Sequence, residues 1–114
     1  LVATSILSND TTKAAQIVLP GAAWAEKRGS MINIHGRLQR LNKAVEPTGE
    51  ARDDWEILRD LLAAAGATVA FQSIEDVFRA MAQEHPEFAG LNLSKIGDLG
   101  VQLLPKPETA AATV

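Results

Sequence analysis

Between Ile17 and Trp55 the punctuation of the chain leaves little conformational freedom: an apolar run stops at Pro20, Gly29 interrupts, Gly36 offers a turn, and a Pro47/Gly49 linker leads into a helix. Proline cannot donate to a strand ladder and fixes φ, so Pro20 ends a strand at its carboxyl end. Met31 to Ile34 and Arg37 to Leu41 read as paired strands about a His35–Gly36 turn, where glycine adopts φ > 0 without a Cβ penalty. By the two-residue period, Ile32 and Ile34 share one face and Asn33 and His35 the other. After the linker at Ala44 to Gly49, Trp55, Leu58, Leu61, Leu62 and Ala65 recur at helical spacing. The spacing predicts a helix over 51–65 with Gly66 placed to end it.

On the amino-terminal side, Leu1 to Leu7 and Gln16 to Leu19 are apolar runs suited to strands buried on both faces of a sheet. Asn9 to Ala15 lies between them, with Ser8 or Asn9 able to cap a brief helix. The pattern is a compressed strand, helix, strand unit at the edge of a covered parallel sheet. The connection is shorter than the usual crossover of about a dozen residues, which argues against direct pairing of the two strands. Ligands bind open α/β sheets beyond the carboxyl ends of the strands, so Thr11, Thr12 and the Gly21 region would border that crevice. A short turn of helix follows through Ala22 to Lys27, and Gly29 breaks the chain.

On the carboxyl side, Ser73 and Asp76 have the spacing of a helix cap, and Ile74, Val77, Phe78 and Met81 form one stripe that Pro86 stops. From Pro86 to Gly100 the pattern is loop-like, and Val101 to Leu104 reads as a short closing strand. The remainder, PKPETAAATV, has no apolar period and reads as a disordered tail. The organisation is therefore α/β: a partial Rossmann-like segment with hairpin and helix over residues 1–66, a helical extension over 67–104, and the tail over 105–114.

With 114 residues, 46% of them hydrophobic, a sizeable core is possible within one domain or part of one. The chain opens on Leu1 and runs straight into a strand, which reads as a piece of a larger protein. No run approaches the roughly 18 apolar residues of a membrane helix, and no cleavable leader is visible, so direct membrane insertion is not expected. A formal net charge of −3 with few aromatics gives no footprint for nucleic acid. Iron–sulfur clusters are held by thiolates, so a chain with no cysteine holds none.

The chemistry-bearing residues are few. His35 and His85 stand some fifty positions apart without partners and read as a turn residue and a helix-end residue, with no metal site. Trp24 and Trp55 read as core residues. Lys27, Arg28, Arg37, Arg40 and Lys43 cluster around the hairpin, while Glu46, Glu50, Asp53, Asp54 and Glu56 gather at the next helix start, where the macrodipole favours acids. The basic group suits domain or subunit contact, with pyrophosphate binding and a solvated face as the other readings. No nucleophile triad, glycine-rich phosphate loop or Cys–His pair appears, so no catalytic residue is expected in the chain itself.

The succession of Pro20, Glu26, Gly29, the N-x-x-G-R-x-Q run from Asn33 to Gln39, and G-E-A-R-x-x-W from Gly49 to Trp55 resembles the third domain of the molybdopterin oxidoreductase superfamily. The resemblance covers about the first 65 positions; AWAEKRGSMINIHGRLQ and GEARDDWEIL are its specific part. Glu26, Gly29, Asn33, Gly36, Arg37, Gln39 and Trp55 match the family pattern. His35 departs from it, because an acidic residue commonly precedes that Gly–Arg. In the family this segment completes a Rossmann-like domain alongside the molybdopterin dinucleotide.

Within the superfamily the sequence looks most like the large iron–sulfur subunit of the NADH-quinone oxidoreductase (NADH dehydrogenase), respiratory complex I. The ground is that no strand-rich barrel domain follows the second helix, whereas molybdopterin enzymes usually continue into one. That branch implies a non-catalytic scaffold segment of a parent that carries iron–sulfur clusters and passes electrons from NADH toward quinone. Its partners would be the rest of that large subunit and the other peripheral-arm subunits, at the cytoplasmic inner face of the membrane. The alternative is a molybdopterin-dependent oxidoreductase of the formate dehydrogenase or nitrate reductase type, in which Asn33, Arg37 and Gln39 would lie near the dinucleotide cofactor. A third reading is a stand-alone interaction module. A severed Rossmann-like unit should expose strand edge at Leu1 to Leu7 and self-associate through it.

Overall fold

A computed structural model describes residues 1–103; the expected tail at 105–114 lies outside the described residues. The architecture is α/β. A parallel pair is formed by β1 (Val2–Ser5) and β2 (Ile17–Pro20), joined through the helix α1 (Asp10–Ala14). A three-stranded antiparallel sheet follows, in the order β3 (Gly29–Ile32), β4 (Arg37–Leu41), β5 (Val101–Gln102). Two helices, α2 (Asp54–Ala64) and α3 (Ile74–Glu84), and a single helical turn, α4 (Leu93–Ile96), stand between β4 and β5.

The strands β1 and β2 pair directly, Val2 opposite Ile17 through Ser5 opposite Pro20, against the expectation drawn from the short crossover. Four-residue strands and a five-residue helix need little chain to return. Past Pro20 the edge is carried on by another segment: Arg52 donates its N–H to the Pro20 carbonyl at 3.2 Å and accepts from the Ala22 N–H at 2.8 Å. That bridge holds 51 and 52 in extended form, which is why α2 begins at Asp54 and not at Ala51. It ends as expected, in a Schellman arrangement: Ala67 N–H bonds to Leu62 O, Gly66 N–H bonds to Ala63 O, and Gly66 has φ 89°.

The hairpin sits two residues earlier than its pattern suggests. Gly29 opens β3 opposite Leu41 instead of breaking the chain, and it is buried with Ile74 beside it. The turn occupies Asn33 to Gly36. Asn33 and Gly36 are linked from Gly36 N–H to Asn33 O at 2.9 Å, and Asn33 N–H reaches Arg37 O at 3.0 Å. Gly36, at φ 72°, supplies the left-handed residue of a three-residue loop with a bulge. The Asn33 Oδ1 accepts from the N–H groups of both His35 and Arg37. A side chain that binds its own backbone in this way competes with the ladder, so Ile34 leaves the strand and is 95% exposed.

The principal core lies where this hairpin meets the later elements. Leu38 of β4 is 1% exposed and clusters with Phe78 of α3 and with Leu93 and Ile96 of α4. The ring of Phe88 meets Phe78 edge-on at 6.2 Å between centroids. The stretch read as a loop from Pro86 thus contains a 3-10 turn at Pro86–Phe88 and the turn α4, capped by the Asn92 side chain on Lys95 N–H. Capping of α3 by Ser73 on Asp76 N–H is as the sequence implies. The predicted stripe of α2 is not buried. Leu58 is 58% exposed and Leu62 49%, and only Ile57 of that helix lies in the interior. Trp24, expected in a core, is 71% exposed. Leu1, Val2, Ile6, Leu7, Ile17 and Val18 are exposed around the parallel pair, which leaves bare the kind of strand that parallel sheets normally cover.

Two outcomes follow for stability. Gly100 has φ 73°, and a Cβ there would run into the Leu38 carbonyl and approach Gln39 Cγ at 3.1 Å. Gly100→Ala should therefore cost more than about 1 kcal/mol in urea denaturation, through loss of the β4–β5 pairing; an unchanged midpoint would contradict that pairing. Asp76 is held below the ordinary 3.8 chiefly by the Gln72 N–H, with Ser73 and Arg79 assisting and partial burial opposing. Asp60 is lowered first by Arg52 and then by Arg59. Folded values below unfolded ones mean stability that is present above about pH 4 and lost as pH falls through the folded values. Acid melts of Asp76→Asn should be flatter below pH 4 than those of the parent chain, and added salt should weaken the Asp60 contribution more than the hydrogen-bonded Asp76 one.

Candidate functional site

Both parallel strands end together, and Gly21 N–H still reaches Ser5 O at 3.1 Å. Just beyond lies an open cavity of about 310 Å³ whose wall includes Ser5, Ser8, Thr12, Lys13 and Pro20. A neighbouring recess of about 270 Å³ takes in Thr4, Gly21, Lys27 and Asp54. This is the crevice expected at the carboxyl end of a parallel sheet. Thr12 and Gly21 border it; Thr11 does not.

Local capping sets the wall. Asn9 Oδ1 accepts from Thr12 N–H at 3.0 Å, and Thr12 Oγ1 accepts from Asn9 N–H at 2.9 Å and donates to Asn9 O. This reciprocal box explains why a threonine hydroxyl is buried at the start of a five-residue helix, and it leaves that hydroxyl engaged. Ser5 Oγ donates to Leu7 O at 2.7 Å, and Lys13 pairs with Asp10 at 3.2 Å on the exposed side of α1. Ser8 is the hydroxyl on this wall that takes no partner among the described residues.

The three residues singled out on the hairpin have separate fates. Asn33 closes the turn through its side-chain oxygen. Arg37 donates from Nη1 to the carbonyls of Leu99 and Gly100, at 3.0 and 3.5 Å, and so ties β4 to the approach of β5. Gln39 is exposed on β4 opposite Met31 and has no hydrogen-bond partner among the described residues. Of the three, Gln39 has its amide free to meet a ligand.

The basic cluster is neutralised within the chain. Lys27 pairs with Asp54, Arg28 with Glu75, Arg40 with Asp98 at 2.7 Å, and Lys43 with Glu46. Three of these acids, Asp54, Glu75 and Asp98, lie far along the sequence from their partners, so the pairing could not be read from the local charge run. Exposed pairs of this kind each contribute little to stability. Their larger effect is to remove the free cations that a pyrophosphate would require.

The sequence profile of the family described as Molybdopterin oxidoreductase matches residues 1–64. The chain is 40% identical over 103 residues to F420-dependent formate dehydrogenase 2 subunit alpha of Methanococcus maripaludis, covering 89% of this chain and 15% of that protein. It is 37% identical over 98 residues to the corresponding alpha subunit of Methanocaldococcus jannaschii, covering 84% and 15%. With formate dehydrogenase H of Escherichia coli it shares 27% identity over 112 residues, covering 98% of the chain and 16% of the relative. The chain thus spans about 15% of the length of these relatives. The similarity to formate dehydrogenases overturns the reading as the large subunit of complex I, with its NADH-to-quinone role. It also runs through the carboxyl-terminal helices on which that choice rests.

Asn33→Ala separates the turn role from any ligand contact. With both backbone donors at Oδ1 released, the isolated chain should lose about 1 to 2 kcal/mol in chemical denaturation. An unchanged stability would show that the turn does not need this side chain.

Proposed function

Because the chain belongs to the molybdopterin oxidoreductase family, we propose that it is a segment of the large subunit of a molybdopterin-dependent formate dehydrogenase. The observation that carries this reading is the 37 to 40% identity to formate dehydrogenase alpha subunits across 84 to 89% of the chain. Formate oxidation releases carbon dioxide, a proton and two electrons, and the pterin-bound metal of the parent would supply that redox chemistry.

The residues present suit a supporting role toward such a group. Ser8 in the crevice beyond β1 and β2 and the free amide of Gln39 on β4 are neutral hydrogen-bonding groups that suit phosphate or pterin edges. A cavity of about 310 Å³ would form one wall for a dinucleotide and not enclose it. Asn33 and Arg37 would act behind that wall, holding the turn and β4 in place. The bare apolar surface of β1, β2 and α2 would pack against other parts of the longer polypeptide; in isolation the chain would use it to self-associate.

The test is metal and activity analysis of the full-length polypeptide that contains this segment. Stoichiometric molybdenum or tungsten, a pterin, and formate-dependent reduction of a viologen dye are expected. Iron without molybdenum or tungsten, and no formate oxidation, would overturn the reading. Sedimentation of the isolated chain should show concentration-dependent association, and a strictly monomeric species at all concentrations would contradict the packing role of the exposed strands.

A further inference from the structure

Between the hairpin and α3 runs an apolar groove of about 480 Å³, separate from the crevice beyond β1 and β2. Its walls include Trp24, Met31, Leu41, Trp55, Val77 and Met81. Trp24 is 71% exposed and Met31 is 56% exposed, so the groove is open along that side. Small ligands are normally at least about 70% buried in their pockets. A small molecule seated here would remain largely wet, whereas a polypeptide segment could fill the groove with one or two side chains and rest on the surface around it.

Charge at the rim narrows the chemistry. Lys27 and Arg28 are already matched by Asp54 and Glu75. Asp53, half-buried on the same wall, makes no capping bond to α2 and has no ion-pair or hydrogen-bond partner among the described residues. The amino end of α2 favours its charge, but partial burial without a donor disfavours it. The uncompensated charge of the groove is therefore this one carboxylate. Two indoles lie along the same walls, and indole faces attract cations. Trp55 has one already, the Arg59 guanidinium 5.2 Å from its ring centre; Trp24 has none among the described residues.

We infer that this groove docks a polypeptide segment in which an aliphatic side chain enters between the tryptophans and methionines while a neighbouring arginine or lysine pairs with Asp53. Methionine side chains are unbranched and polarisable, so Met31 and Met81 can adjust to the entering group. The inference rests on the groove and the unpartnered carboxylate, and it stands or falls independently of the formate dehydrogenase reading.

The test titrates the 114-residue chain with a blocked hexapeptide of alternating leucine and arginine, followed by tryptophan fluorescence. Saturable binding is expected, and the leucine–glutamine hexapeptide should bind about tenfold more weakly, the loss of one charged contact. Asp53→Asn should reduce the arginine peptide to the level of the glutamine peptide. Glu87→Gln, which removes the same charge outside the groove, should leave binding unchanged, and Trp24→Ala should weaken both peptides. Circular dichroism melts matching the parent chain would establish that the variants are folded; Asp53 is half-buried and Trp24 and Glu87 are exposed. Absence of binding, equal affinity for the two peptides, or full affinity in Asp53→Asn would overturn the inference. Butylguanidinium binding as tightly as the hexapeptide would overturn the assignment to a polypeptide.

Discussion

The burial of Leu38 organises this chain. It sits on β4, the central strand of the antiparallel sheet, so whatever fixes Leu38 fixes both neighbouring strands. Phe78, Leu93 and Ile96 close over it from two helical elements. Removing a side chain of this size from water is worth roughly 1.5 to 3 kcal/mol, enough to override weak local preferences. That explains why four residues at 93–96, too few to form a stable helix alone, hold a helical turn. It also explains why β5, with two residues, is a strand at all.

The parallel pair stands apart from that core. Its connection and capping are complete, with the reciprocal Asn9–Thr12 box holding α1 and the Arg52 bridge continuing the edge of β2. Its surface is not: Val2 and Ile17, directly opposite one another, are both about half exposed. A unit of this kind is geometrically finished and energetically dependent on what covers it. The same division places the functional features. The crevice lies beyond the unit that needs neighbours, while Asn33 and Arg37 belong to the self-contained hairpin and hold its turn and its link to β5.

Much of the fold is legible in the sequence wherever the signal is local. Gly66 ending α2, Ser73 capping α3 and Pro20 closing β2 each act through backbone chemistry that needs no distant partner. The failures have a common cause, which is that a period reveals an apolar face without revealing what it faces. The stripe of α2 is legible and its exposure is not, and the apolar character of Trp24 implies a core that it does not have. The turn falls at Asn33–Gly36, away from its expected place, because a side-chain bond to the backbone outweighs an alternating apolar pattern. Resemblance groups Arg37 with Gln39, yet only their distant surroundings, Leu99 and Gly100 beside the first, distinguish them. The branch of the family escapes the sequence for another reason: a segment about 15% as long as its relatives carries no information about the domains they hold elsewhere.

The central claim is that two parts of one chain differ in what stabilises them: the Leu38 core sustains the hairpin and α3, whereas β1 and β2 lack a cover. Native-state hydrogen exchange of the 114-residue chain, read residue by residue at a concentration low enough to prevent association, tests this directly. The account predicts the slowest exchange at paired amides of β4 and within α3, and exchange at β1–β2 amides faster by at least about a hundredfold, a gap of roughly 2.7 kcal/mol in opening free energy. Equal protection of the parallel pair and of β4 would contradict it, because the strands would then draw their stability from within the chain.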